Sequence, residues 1–342
     1  MINTFKSIIT DFHQRKLPDP ITNRKLKVPL NSKKIISIIG PRRTGKTWYL
    51  YSIINSLTKK IPIEKILYIN FEDERLDINK SHLQLIIDAY QQLYPKIKLS
   101  EVYFFLDEVQ EIDGWEQFIR RINDTVSNKI FITGSSAKLL SKEIATSLRG
   151  RSLPYLLLPF SFEEYLEYHK VDTQNIHSTK NKNLIISHFD KYLHRGGYPE
   201  VIDYEESLFI KTMQTYIDIM LYRDIIERHQ IKTIHIVKDM MKRLAANNAM
   251  MFSINKYYND SKAMGFNISK DKLYELMNHF EDCYSVIQLY KYSDSAAKQA
   301  KALKKVYVND TGIASALNFS VSKNIGRLLE TFVFLEIKRW AF

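Results

Sequence analysis

Cysteine is nearly missing: Cys283 is the only one in 342 residues. That excludes an internal disulfide framework and fits a reducing compartment. No apolar run approaches the roughly 20 residues needed to cross a bilayer, so a membrane is not an expected partner. Met1-Ile2-Asn3-Thr4-Phe5-Lys6 has neither a long apolar stretch nor a small-residue cleavage site, so a cytoplasmic location is expected rather than secretion. The nine histidines follow no repeated Cys/His spacing, which argues against structural zinc. Acidic side chains are in deficit, 38 against 50 Lys and Arg, leaving a net charge of +12. That excess favours polyanionic partners, although nucleotide phosphates and lysine-biased coding also produce it. Internal repeats and low-complexity segments are absent, and the length suits two or three domains.

The most informative stretch present is Gly40-Pro41-Arg42-Arg43-Thr44-Gly45-Lys46-Thr47, a complete G-x-x-x-x-G-K-T phosphate loop. Its glycines let backbone N–H groups turn around phosphates, Lys46 brings a point charge to β/γ oxygens, and Thr47 offers a hydroxyl to Mg²⁺. Ile35–Ile39 before it reads as a buried strand, and Trp48 to Leu57 after it as a helix facing the phosphates with its N-terminus. The expected nucleotide-binding set is Gly40, Pro41, Arg42, Arg43, Thr44, Gly45, Lys46, Thr47 and Trp48. Further apolar runs at 66–71, 102–106 and 129–133 alternate with helical patterns at 82–93 and 115–123. This is the signature of an α/β fold, a parallel sheet covered by helices on both faces.

The run Tyr103–Leu106 ends in Asp107-Glu108, placing two acids where open α/β sheets bind ligands. Asp107 is expected to hold Mg²⁺ and Glu108 to orient or activate the attacking water. The bland reading, two solvated acids at a strand end, loses weight beside the upstream loop. Thr133 and Ser135, at the end of the next strand, are candidates to hydrogen-bond the γ-phosphate or the water, Ser135 being preferred. Arg149 and Arg151 carry the fixed guanidinium fork that suits phosphate oxygens, within one subunit or across an interface. Pairing with surface carboxylates is the alternative for both.

Those segments together resemble a large prokaryotic group of AAA-type P-loop ATPases. The resemblance rests on the loop, on Tyr68-Ile69-Asn70-Phe71-Glu72-Asp73-Glu74-Arg75-Leu76, and on Leu106-Asp107-Glu108-Val109-Gln110 with Gly114-Trp115-Glu116. Thr133-Gly134-Ser135-Ser136, Leu148-Arg149-Gly150-Arg151 and Pro159-Phe160-Ser161-Phe162-Glu163-Glu164-Tyr165 extend it, and it spans essentially the whole chain. It implies ATP and Mg²⁺ as cofactors and hydrolysis as the activity. The absence of a guanine-reading N-K-x-D tetrapeptide agrees. It also implies a linker carrying Gly196-Gly197-Tyr198-Pro199-Glu200-Val201 and Tyr222-Arg223-Asp224-Ile225, then a winged helix and an endonuclease-like remnant.

The domains expected are a lead-in at 1–30, the ATPase domain at 31–160, and a helical linker at 161–230 with a loop near 173–183. A winged-helix-like domain at 231–305 and a partial, truncated α/β endonuclease-like segment at 306–342 follow. Ser269 is the expected N-cap of the recognition helix, with Leu273, Leu276 and Phe280 on its buried face. Lys270, Lys272, Lys291, Lys298, Lys301, Lys304 and Lys305 are candidates to neutralise phosphates. Candidate partners beyond ATP are DNA through the winged helix, a protein, and further copies of the chain. Glu336-Ile337-Lys338 mimics a nuclease triplet but lies in a helical pattern, so nuclease activity is not expected.

Overall fold

The computed structural model describes residues 1–18, 22–135, 148, 150–317 and 325–340. The chain forms two compact units, one of Met1–Gly40 with Gly45–Leu157, the other of Pro41–Thr44 with the residues from Leu158 onward. The division at 157/158 lies beside the expected end of the ATPase domain at 160.

In the first unit, five strands pair in parallel in the order β2-β3-β4-β1-β5. They are β1 Ile35–Ile39, β2 Ile66–Asn70, β3 Tyr103–Asp107, β4 Ile130–Gly134 and β5 Ser152–Leu156. Every residue of β1, β3 and β4 is buried, because the sheet is covered on both faces and leaves no polar side to alternate with. β5 departs from the expected strands. It lies at the sheet edge with mixed burial and contains Pro154, whose missing N–H only an edge tolerates.

Four helices complete this unit: α1 Ile2–Gln14, α2 Lys46–Thr58, α3 Gln84–Leu93 and α4 Trp115–Thr125. In α1, Phe5, Ile8, Ile9 and Phe12 recur at helical spacing and are all buried. The ring of His13 fixes the end of that helix, its Nε2 2.7 Å from Ile66 O and its Nδ1 2.7 Å from Tyr94 Oη. Phe12, Ile38, Leu50, Ile54, Phe105 and Phe131 share one core, in which the rings of Phe105 and Phe131 stack at 4.8 Å.

Parallel pairing brings all strand ends with the same polarity to one edge. The register aligns Ile39 with Gly134, Asn70 with Asp107, and Leu106 with Ile132. Gly40, Asp107, Glu108 and the Thr133–Ser135 segment therefore emerge from the same carboxyl edge, where α/β sheets bind ligands.

The second unit contains α5 Phe162–Tyr168, α6 Thr179–Arg195, α7 Glu206–Ile219, α8 Ile234–Ala246, α9 Ile254–Ala263 and α10 Lys270–Asp282. After these come α11 Ala296–Lys301, α12 Thr311–Leu317 and α13 Ile325–Trp340. Strands β6 Met250–Phe252, β7 Val286–Leu289 and β8 Lys304–Val308 form an antiparallel sheet in the order β6-β8-β7. Ser269 caps α10 by accepting from Lys272 N at 3.3 Å, and Leu273, Leu276, Met277 and Phe280 are its buried face.

Three expectations are corrected here. Helix α6 begins at Thr179, inside the segment read as a loop, because its polar first turns sit on an exposed surface that hides the apolar period. Where residues 232–268 read as one helix and a turn from their sequence, two helices and a short strand precede α10. The boundary at 305/306 falls within β8, the central strand of its sheet, and α12 is buried in the same core as α8 and α10. Residues 306–317 are thus part of the second unit rather than the opening of a separate segment.

That core is joined by a buried carboxylate. Asp310 Oδ2 accepts from Gly197 N and Oδ1 from Gly312 N, both at 2.8 Å. Phe160 N in turn donates to Gly197 O at 2.8 Å. A Cβ at position 197 would lie 2.2 Å from Phe160 O, so only glycine fits this crossing. Gly196-Gly197 and Asn309-Asp310-Thr311-Gly312 are therefore two halves of one joint.

Candidate functional site

The site is built at the carboxyl edge of the first unit's sheet. Gly40 leaves β1 with φ +148°, and a Cβ there would meet Leu157 O at 2.2 Å, so the loop can begin this close to the chain leaving β5 only with glycine. Helix α2 starts at Lys46, aiming unsatisfied N–H groups back into the loop. Lys46 is buried. Its ammonium donates to Gly40 O at 3.3 Å and lies 3.7 Å from Glu108 Oε1.

Asp107 is fully buried and accepts three hydroxyl hydrogen bonds, from Thr47, Thr133 and Tyr68. The Tyr68 bond measures 2.9 Å. Burial, and then the neighbouring Glu108, push the Asp107 carboxyl above its ordinary range, while the three hydroxyls act the other way. Burial and the Asp107 charge hold the Tyr68 phenol protonated, hence a donor. A desolvated carboxylate beside a threonine hydroxyl is a hard-oxygen donor set suited to Mg²⁺, which takes one or two protein ligands and fills its remaining positions with phosphate and water. The described residues contain no group of three or more His, Cys, Asp or Glu that could hold a metal ion.

Glu108 has φ +53°, a left-handed conformation uncommon for a residue with a side chain. Its N–H donates to Thr133 Oγ1 at 2.9 Å, fixing the turn that redirects the chain out of β3. The carboxylate accepts from Gln110 Nε2 at 2.6 Å. Gln110 Nε2 also lies 3.4 Å from Ser135 Oγ.

Among the expected site residues, Lys46, Thr47, Asp107 and Glu108 converge, and Ser135 is buried beside Gln110. Thr133, the less favoured of the pair, is the one whose hydroxyl touches Asp107. Trp48 is half exposed with its ring edge-on to Tyr51. Arg151 does not join them. It precedes Ser152, which pairs with Ile35 at the opposite edge of the sheet, about 17 Å away along the strand. Its Nε donates to Asp124 Oδ1 at 2.7 Å on the surface. Arg149 lies outside the described residues. Pro41–Thr44 pack with the second unit, where Arg42 meets Asp224. Tyr68 and Gln110 lie in motifs that carry the resemblance, but their contacts with Asp107 and Glu108 are not readable from those motifs. Their roles depend on strand register and on a turn, and neither leaves a period in the sequence.

In the second unit Glu336 accepts from Arg339 Nη1 at 2.8 Å and Phe162 N at 3.3 Å. It is a helix residue in a structural pair, as its helical pattern suggests. Lys305 is paired with Glu330, whereas Lys270, Lys272, Lys291 and Lys298 are exposed. No helix of the described residues is long and apolar enough to cross a membrane.

Residues 32–166 match the family described as an AAA domain, and 186–324 match a domain of unknown function (DUF8612). The first unit's fold and this match make it an AAA-type P-loop domain of the nucleotide-binding ATPases. "Uncharacterized protein MJ1544" of Methanocaldococcus jannaschii is 38% identical over 343 residues, covering 99% of this chain and 74% of the relative. A Haemophilus influenzae protein is 30% identical over 312 residues, covering 90% of this chain and 74% of its own length. Weak likenesses among solved structures include C. elegans PCH-2, at 16% identity and TM-score 0.35 over 62% of this chain and 61% of that one. Another is the Aeropyrum pernix ORC1 protein in complex with DNA, at 12% identity and TM-score 0.31 over 86% and 88%.

Proposed function

The chain belongs to the protein family that includes MJ1544 of Methanocaldococcus jannaschii, and on that footing we propose that it is a Mg²⁺-dependent ATPase whose nucleotide cycle rearranges its second unit. One observation carries this reading. Thr47 is hydrogen-bonded to Asp107 while the Lys46 ammonium lies 3.7 Å from Glu108, so phosphate-loop and acid-pair groups already face one another.

Lys46 would exchange its carbonyl and carboxylate partners for the β/γ oxygens of ATP, assisted by the backbone N–H groups of residues 42–47. Thr47 and Asp107 would hold Mg²⁺, which neutralises charge on the phosphate oxygens when bound. Tyr68 and Thr133 keep the Asp107 carboxylate oriented. Glu108, released from Lys46, would orient a water and accept its proton, with Gln110 limiting the carboxylate's rotation. Ser135 is the candidate for contact with the γ-phosphate or the water. Arg149 is a candidate for charge stabilisation, and Arg151, at the far edge of its own sheet, would serve only a nucleotide on another copy.

In the second unit, helix α8, strand β6, helices α9 and α10 and the hairpin β7–β8 follow a winged-helix order, which supports DNA as a partner. The exposed Lys270, Lys272, Lys291 and Lys298 would make salt-dependent contacts to phosphate. A slow nucleotide-gated switch acting on a protein or DNA is the second reading, favoured by the engagement of Glu108 with Lys46 and Gln110. Single-turnover rates with and without DNA separate the two, since a motor cycles repeatedly and is stimulated.

Glu108→Gln tests the chemistry. ATP turnover should fall about 100-fold or more, within the range for a positioned general base, while ATP affinity stays close to wild type. Turnover equal to wild type would remove Glu108 from the mechanism.

A further inference from the structure

Two consecutive arginines of the phosphate loop pack within the second unit, together with Pro41 and Thr44. The Arg42 guanidinium lies along Asp224, its Nε donating to Oδ2 at 2.9 Å and to Oδ1 at 3.2 Å. Its Nη2 donates to Oδ1 at 3.0 Å. The Asp224 side chain is 2% exposed and that of Arg42 19%. The pair is bidentate and largely desolvated, so separating it leaves a buried carboxylate without its main counter-charge.

Arg43 adopts φ +65°, its Nη1 is 3.4 Å from Glu200 Oε2, and its guanidinium sits over the Tyr216 ring at 5.3 Å. Both partners in that ion pair are about half exposed, so it contributes little. Thr44 Oγ1 closes the tip by donating to Pro41 O at 3.0 Å. Of these two ion pairs at the tip, Arg42–Asp224 is the buried one. Asp224 lies in Met220–Glu227, which continues α7 with the wider π-helical hydrogen bonding. Such turns are rare, less regular than an α-helix, and concentrated at functional sites.

We propose that Asp224 is a positioning residue for nucleotide binding: through Arg42 it sets the shape of the phosphate-loop tip, coupling nucleotide affinity to the state of the 220–227 turn. This rests on the reading that the loop binds ATP. The amides that cradle phosphate belong to the same few residues whose backbone Arg42 anchors, four positions before Lys46. A nucleotide that needs the tip in its gripped conformation binds with the help of Asp224. Reciprocity then requires that the 220–227 turn respond to the nucleotide. The two motifs that the sequence shows as separate, the loop's double arginine and Tyr222-Arg223-Asp224-Ile225, become one device.

The test measures the dissociation constant for Mg²⁺ and a non-hydrolysable ATP analogue by calorimetry in wild type, Asp224→Asn, Arg42→Lys and the double variant. Hydrogen exchange of residues 220–227 with and without the analogue accompanies it. Each single change should weaken binding about tenfold, within the usual range of coupling between sites. The double variant should be no weaker than the worse single, because both remove the same interaction. Wild-type exchange at 220–227 should change on binding, and that response should disappear in Arg42→Lys. A purely structural staple would lower the melting temperature, leave affinity within twofold of wild type and give no exchange response; that result overturns the proposal. Should Asp224→Asn fail to fold, Arg42→Lys, altered at the more exposed partner, decides the question alone. Absence of binding in the wild type would instead overturn the nucleotide reading itself, and it is seen before any variant is compared.

Discussion

Asp107 shows how much one side chain depends on partners far away in sequence. Its three hydroxyl donors come from the helix start, from β2 and from β4. Thr133 has two tasks, donating to Asp107 and accepting from Glu108 N. Thr133→Val keeps the shape and removes both bonds. Steady-state turnover should fall about 10- to 100-fold, as for other residues that orient ligands from behind, with ATP affinity changed far less. Equal turnover would show that Tyr68 and Thr47 suffice to hold the carboxylate. Asp107, Glu108, Lys46 and Thr47 were legible because their types recur at fixed spacing beside apolar strands. The roles of Tyr68 and Gln110 were not, since nothing local marks a tyrosine as facing an acid 39 residues along the chain. Ser135 and Thr133 were both legible as polar strand-end residues, but which of them reaches Asp107 is decided by register.

Strands with no polar face were the easiest elements to read, and β1 begins and ends at the residues expected from its apolar run. The edge strand β5 was hidden by Pro154 and by its exposed positions, and the start of α6 by its polar surface. The joint formed by the Gly196-Gly197 turn and the β8–α12 turn was also hidden, because its halves are about a hundred residues apart. Burial pushes the Asp310 carboxyl up to about 6, with its two backbone N–H bonds opposing that rise. A carboxyl raised in the folded state contributes stability while protonated, and loses that contribution as pH rises through the folded pKa. Asp310→Asn cannot titrate. The wild-type denaturation midpoint, measured relative to this variant, should therefore decline between the ordinary pKa of 3.8 and about 6, then level off. A difference that is flat with pH would mean that Asp310 is not buried as described.

Across the molecule, an AAA-type nucleotide domain is followed by a unit whose helices and three-stranded sheet enclose one core. On the proposed reading the charge of +12 would serve two places, the loop facing phosphate and the exposed lysines of α10 and the hairpin. Composition favours a polyanionic partner without choosing between them, because net charge carries no position. Length suggests two or three domains, but the continuity of residues 306–317 with their sheet is not readable from it, because only strand pairing defines that. Everything proposed for the second unit depends on ATP occupying the first. The most direct measurement is a calorimetric titration of the whole chain with ATP and Mg²⁺, beside Lys46→Ala. Saturable heat in the wild type, lost or weakened at least about 100-fold (close to 3 kcal/mol) in the variant, is the expected result. No heat in the wild type, or equal binding in both proteins, contradicts the account.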